Sequence, residues 1–292
     1  MRITQSMMVG NFLNSLNTNY KAMNTIQEQL ATGKRINRPS DDPVGLISSL
    51  RIRTSLTENE KYQGNVEDAR SWLDTTDTAL GQAGDIMQRA RELTIYGAND
   101  TLSAAARDAL AKEVHQLREQ LIQVSNTSHD GRYVFGGYKT TNPPFTAAGV
   151  YTGDNGVINY EIGINITMPV NTTGDAAFIN VQDAFQLLNN VEADITAGNT
   201  LSLTNVRLSQ MDLAMDNIQT LRSDVGAKTN RLDLTKSRLE DANLNLSALL
   251  SKNEDINTGE VITQLKMQEN TYNTALAAGA RIIQPTLTDF LR

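Results

Sequence analysis

None of the 292 residues is a cysteine, which excludes disulfides and thiolate metal sites. Histidine is nearly absent as well. His115 and His129 are the whole supply, so there is little material for a catalytic base or a zinc site. Aromatic residues make up 5% of the chain. A core must therefore come mainly from Leu, Ile, Val and Ala, which suit helical seams better than a large globular interior. No apolar run approaches the roughly 18 residues of a membrane helix, and no apolar stretch near Met1 has the form of a cleaved secretory signal. A basic surface is missing too: the net charge of −7 and pI near 5.0 argue against nucleic-acid binding. No membrane partner and no cofactor are expected.

What the chain does have is organised around Leu30 to Leu46. A helical pattern runs up to Gly33, which can take the left-handed conformation that ends helices. Lys34 and Arg35 follow where a helix C-terminus favours positive charge. Pro39 blocks continuation, and Asp42 before Pro43 reads as an N-cap with proline at the first helical position. Gly33, Arg35, Asp41, Asp42, Pro43 and Gly45 thus form a stop, a polar corner and a restart between two long helices. Residues 1 to 38 are poor in acid, with Glu28 alone against Arg2, Lys21, Lys34, Arg35 and Arg38. That bias resembles an organelle transit peptide, but the corner continues it too specifically for that reading.

Periodicity supplies the rest. Leu13, Leu16, Tyr20, Met23 and Leu30 share one face of a first helix of roughly 40 Å. From Val44 to Tyr96, Val66, Leu73, Leu80 and Met87 recur every seven residues, with Ala69, Thr76, Ala83 and Ala90 three places on. This predicts a coiled-coil-like seam with close helix approach. Gly97 to Asp100 ends it, Ser103 or a neighbour caps the next helix, and Leu110, Val114, Leu117, Leu121 and Val124 make a second seam antiparallel to the first. Residues 131–180 gather the aromatics and glycines. There Asp154-Asn155-Gly156 signals a tight turn, and Ile158 to Met168 alternates as a strand with one buried face. Helix returns at Val181. From Leu201 to Asn253, Met211, Ile218, Val225, Leu232, Leu239 and Leu246 repeat every seven residues, with Leu221, Ala242 and Leu249 as companions and weak spots at Gly226 and Lys228. A last helix carries Val261, Leu265, Tyr272, Leu276, Gly279 and Ile283, before Pro285 and the apolar Leu287, Phe290 and Leu291.

Chemistry is hard to assemble from these residues. Gly136, Gly137, Lys139 and Thr140 suggest a phosphate loop, but Tyr138 breaks the required order and a turn is the better account. Asp42 caps, and corner hydrogen bonding suffices for Asp41, so neither calls for a cation. The acceptor triplets at Asn126, Asn165 and Asn171 fit chance in an Asn/Thr-rich chain. No nucleophile, base and orienter combine, so no enzymatic activity is expected.

The segment Gly33-Lys34-Arg35-Ile36-Asn37 followed by Ser40-Asp41-Asp42-Pro43-Val44-Gly45 resembles the corner motif of the flagellin family. Gln88 to Leu93 with Ala98-Asn99 is similar to the end of that family's first long core helix, and Val225-Gly226-Ala227 with Asn230-Arg231-Leu232 to the opening of its C-terminal core helix. The start Met1 to Met7, the run Gly131 to Gly137 and the end Ile282 to Leu291 look like the branch of flagellin-like hook-associated proteins at the hook–filament junction. Filament flagellins tend to close on an Ala/Asn-rich helix and Leu-Leu-Arg, which this chain lacks.

The resemblance implies a mainly α fold: an elongated antiparallel long-helix bundle with a terminal coiled coil and a small inserted β-rich domain. It implies a terminal domain of 1–43 plus 254–292, disordered in the monomer, a helical core of 44–130 plus 181–253, and an outward β insertion of 131–180. The implied role is a structural junction subunit of the bacterial flagellum. It would be exported through the flagellar type III channel with no cleaved signal, its C-terminal helix held beforehand by a chaperone. It would then assemble as a ring of copies on a neighbouring hook-associated junction protein, with flagellin added beyond. Leu13, Leu16, Tyr20, Met23, Leu265, Tyr272, Leu276 and Ile283 are the expected subunit contacts, because pairing the end helices covers only part of their apolar stripes. A filament flagellin is the nearest alternative. A soluble coiled-coil adaptor is the distant one, since it leaves the corner unexplained.

Overall fold

The structure is a computed structural model that describes residues 5–283, with side chains described for 7–280. Met1 to Thr4, Pro285, the apolar tail and the Ile283 side chain lie outside the described residues. Helix α1 spans Gln5–Thr32, α2 Pro43–Gly97 and α3 Ala104–Ser125. Two short antiparallel sheets follow, β1 (Ser128–His129) with β2 (Arg132–Tyr133) and β3 (Asn159–Gly163) with β4 (Ile166–Pro169). Then come α4 (Gly174–Phe178), α5 (Ala184–Ala197), the single turn α6 (Thr200–Ser202), a π-helical turn Leu203–Arg207, α7 (Leu208–Glu254) and α8 (Thr258–Ile283). The chain is mainly α, and its helix ends follow local chemistry. The Ser103 hydroxyl accepts from the Ala106 N–H at 3.2 Å to start α3, Asp183 caps α5, and Gly198 at φ 71° ends it.

Two compact units result: Asn59–Asp241, and Met1–Glu58 with Ala242–Arg292. In the unit Asn59–Asp241, α2 and α7 run antiparallel. Arg91 meets Asp212 at 2.8 Å, Asp77 meets Arg222 at 3.0 Å and Glu67 meets Lys236 at 2.9 Å, one residue number falling as the other rises. The seven-residue seams are buried here: Val66, Leu73, Leu80 and Met87 on α2, and Met211, Ile218, Val225 and Leu232 on α7. Gly226 lies off the seam, exposed beside the buried Val225. Helix α3 runs back along α2, with Arg89 against Glu113 at 2.7 Å and Thr75 against His129 at 3.1 Å. It also packs antiparallel to α5, through His115 to Glu192 and Arg118 to Asn189.

Residues 131–180 share this unit's core. Phe135 and Phe178 stack edge to face with centroids 5.3 Å apart, Phe145 and Phe185 lie 4.9 Å apart, and Phe145 meets Tyr151 at 5.2 Å. Burial pushes the Tyr151 phenol up to about 12. Two sequence expectations are corrected. Ile158 to Met168 is not one strand: it folds back at Ile164-Asn165, pairing Gly163 with Ile166, and Asn165 takes φ 57° as asparagine can. The alternation continues through the turn only in sequence, since Ile164 is exposed while Ile162 and Met168 are buried. Nor does Asp154-Asn155-Gly156 close a hairpin. The Asp154 carboxylate instead accepts from the N–H groups of Tyr138 (2.6 Å) and Gly156 (3.0 Å), pinning the Gly136 to Lys139 turn.

Candidate functional site

The other unit holds every described residue of the corner motif and of the expected contact surface. Helix α1 stops because Gly33 sits at φ 70° and gives its N–H to the Gln29 carbonyl at 2.8 Å. The Asp41 carboxylate accepts from the N–H groups of Asn37 (3.1 Å) and Arg38 (2.8 Å), folding the loop. Asp42 caps α2 by accepting from the Gly45 N–H at 2.8 Å and from Arg35 at 3.1 Å. The Gly45 bond and then Arg35 hold its carboxyl below the usual range. A Cβ at Gly45 would push against the capping carboxylate of Asp42 and the end of Ile36, so a side chain there would shift the cap. The six corner residues thus make one hydrogen-bonded turn, and both aspartates are already occupied.

Sequence reasoning missed what the corner is fastened to. Lys34 and Asp255 form an antiparallel bridge, the Arg35 N–H donates to the Glu254 carbonyl, and the Ile256 N–H to the Gly33 carbonyl at 3.2 Å. The Asn253 amide donates to the Gly45 carbonyl (2.8 Å) and the Ser49 hydroxyl (2.7 Å). Beneath them the Glu254 carboxylate receives both arms of Arg53, at 3.0 and 2.6 Å, and Lys34 at 2.7 Å. Glu254 is 6% exposed on its side chain. Arg53 first, and then Lys34 and Ser49, hold its carboxyl down to about 2 against the opposing effect of burial. One signal was available. Asn253-Glu254-Asp255 puts acids at a helix C-terminus, where the backbone favours cations, and residues 1 to 38 carry the complementary basic excess.

Helices α1 and α8 pair antiparallel. The Phe12 ring lies where a Gly279 Cβ would stand, Tyr20 and Tyr272 have ring centroids 6.2 Å apart, and the Gln268 amide reaches Asn19 at 3.4 Å. Two expected contact residues, Tyr20 and Tyr272, therefore touch within one molecule. Leu16, Met23, Leu265 and Tyr272 are half-buried, whereas Leu13, Tyr20 and Leu276 are exposed. The opening turns of α2 add exposed Val44, Ile47 and Leu50, so the buried core does not begin at Val44 as expected; on α2 the apolar core starts at Val66. The seam of α7 fades likewise, with Leu246 half-buried and Leu249 exposed.

Comparison with known proteins agrees with this arrangement. The bacterial flagellin N-terminal helical region matches residues 3–140. Flagellar hook-associated protein 3 of Escherichia coli K12 is 28% identical across 95% of this chain and 94% of its own length. The flagellin of Bacillus subtilis 168 is 27% identical across 96% and 94%. The crystal structure of Bacillus cereus FlgL, 25% identical, superposes with a TM-score of 0.61 over 69% of this chain and 99% of that one. From the helical region matched at the N-terminus through to the C-terminal helices, the chain is similar to flagellar hook-associated and filament proteins.

Proposed function

We propose that this chain is the junction subunit of a bacterial flagellum, joining the hook, through another hook-associated protein, to the flagellin filament. The observation that carries this is the likeness to hook-associated protein 3 over 95% of the chain, a span that takes in most of the paired α1 and α8. A two-helix pair that leaves Leu13, Tyr20 and Leu276 in solvent is an unfinished surface of the kind that a partner completes. In this reading Leu13, Leu16, Tyr20, Met23, Leu265, Tyr272, Leu276 and Ile283 contact neighbouring copies, the adjoining junction protein and flagellin. The role is structural and uses no catalytic residue. The subunit leaves the cell through the flagellar type III channel, its C-terminal helix held until then by an export chaperone.

Deleting the gene is the direct test. The expected result is hooks that bear no filament, with flagellin released unpolymerised into the medium. A normal filament in the deletion strain would overturn the reading. The similarity to Bacillus subtilis flagellin favours a second reading, a filament subunit, which copy number separates: a junction protein is present in few copies per organelle and a filament protein in bulk. In the free subunit the terminal pair opens readily, because binding has to supply part of its ordering. Limited proteolysis should trim dilute protein to about residues 40–255, and ends that resist protease would count against the contact surface.

A further inference from the structure

Glu254 occupies a position that its own helix does not favour. It ends α7, where unpaired carbonyls repel a carboxylate, and its side chain is nevertheless 6% exposed. Its charge is balanced from far away in sequence, by Lys34 just past the end of α1 and by Arg53 on α2. It therefore takes one cation from the start of the first corner and one from the helix beyond it, while sitting at the entrance to the second. The backbone bridge between Lys34 and Asp255 and the Asn253 amide bonds to Gly45 and Ser49 surround it. Take the carboxylate away and Arg53 and Lys34 lose the partner they share, Lys34 keeping only its longer contact to Asp255 at 3.5 Å.

We infer that Glu254 is the positioning residue of the terminal helix pair: held by Lys34 and Arg53, it fixes the two corners to each other and so sets the register in which α1 meets α8. Neither corner motif can do this alone. The Gly33 to Gly45 turn orders itself through Asp41 and Asp42, and its backbone bonds reach the α7–α8 connection as far as Ile256, short of α8 itself. The α7–α8 connection has few internal bonds of its own beyond the Asp255 N–H to the Ser251 carbonyl and the Val261 N–H to that of Asn257. The inference concerns the pairing itself. It meets the junction reading only in its consequence, that an unset pair does not assemble.

The test uses the full-length chain. Because no cysteine is present, Asn19→Cys with Gln268→Cys gives a disulfide reporter at facing positions of α1 and α8. In Glu254→Gln the cross-linking rate at neutral pH is expected to fall roughly tenfold, while the denaturation midpoint followed by the fluorescence of Trp72 stays in place. Arg53→Gln should slow it similarly, and adding Glu254→Gln to Arg53→Gln should slow it little further, because both remove one interaction. Equal rates in Glu254→Gln and its parent, or fully multiplying effects in the double variant, overturn the inference. Filament growth on complementing a deletion strain keeps the two conclusions apart. Slowed cross-linking with normal growth upholds the role of Glu254 and counts against the assembly surface. Lost growth with unchanged cross-linking does the reverse.

Discussion

The two units of this chain are held together by different physics. In Asn59–Asp241 the seams and the phenylalanine cluster bury side chain upon side chain. In the terminal unit, Ile36 and Val261 are the hydrophobic residues buried among those described. What replaces burial there is polar and ionic: the Glu254 site, the Asp41 and Asp42 bonds, and the forked pair from Arg38 to Glu28 at 3.0 and 3.2 Å. The chain's acidic excess lies wholly in Asn59–Asp241, while the terminal unit carries slightly more basic than acidic residues. The contrast teaches that one unit is finished as a folded object. The other is given a defined geometry and left with exposed apolar surface, which suits a part completed by assembly.

The sharpest way to break this comparison is to remove core volume from the finished unit. Phe178 is 1% exposed and touches Phe135, Phe145 and Phe185. Phe178→Ala should cost about 4 kcal/mol, read by denaturant unfolding through Trp72. A loss below about 1 kcal/mol would mean that the cluster is not close-packed. Next in size is the acid response of the terminal unit. The Glu254 carboxyl is lowered from 4.5 to about 2, so its contribution is complete above pH 4.5 and is lost as pH falls toward 2. The span corresponds to about 3 kcal/mol. Helical circular dichroism of the full chain should therefore fall more across that window in the parent than in Glu254→Gln. A parent response centred near pH 6 would assign the effect to a different group.

Much of the fold could be read from the sequence because it rests on local rules. Gly33, Ser103 and Asp42 mark helix ends by backbone geometry and capping, and the heptads of α2 and α7 declare their buried faces. Hidden features were those set by distant partners. Asn165 reverses the chain inside an uninterrupted alternation because an asparagine tolerates φ 57°, and no period reports that. Glu254 looks like one polar residue in a polar break until Arg53 and Lys34 arrive from more than 200 positions earlier. Of the contact surface, the stripe on each end helix was legible, but how each stripe divides between its partner helix and solvent was not. Tyr20 meeting Tyr272 is a tertiary fact.

That division gives the smallest effect on the free chain and the finest test of the contrast. Leu13 and Leu276 are exposed at 47% and 43%, so replacing either by serine removes little burial and should shift the stability of the free subunit by less than about 0.5 kcal/mol. The same residues lie on the helix pair proposed to meet neighbouring copies, where a buried leucine side chain contributes roughly 1.5–3 kcal/mol on leaving water. Leu13→Ser with Leu276→Ser is expected to leave denaturation and cross-linking unchanged, yet to abolish filament growth when supplied to a deletion strain. A matched pair on the exposed face of the other unit, Leu213→Ser with Leu234→Ser, should grow filaments. If both pairs behave alike, exposure of apolar side chains does not distinguish the two units, and the terminal helices lose their claim to be the assembly surface. If only the terminal pair fails, the same small change in the monomer has been amplified by the neighbours that cover it.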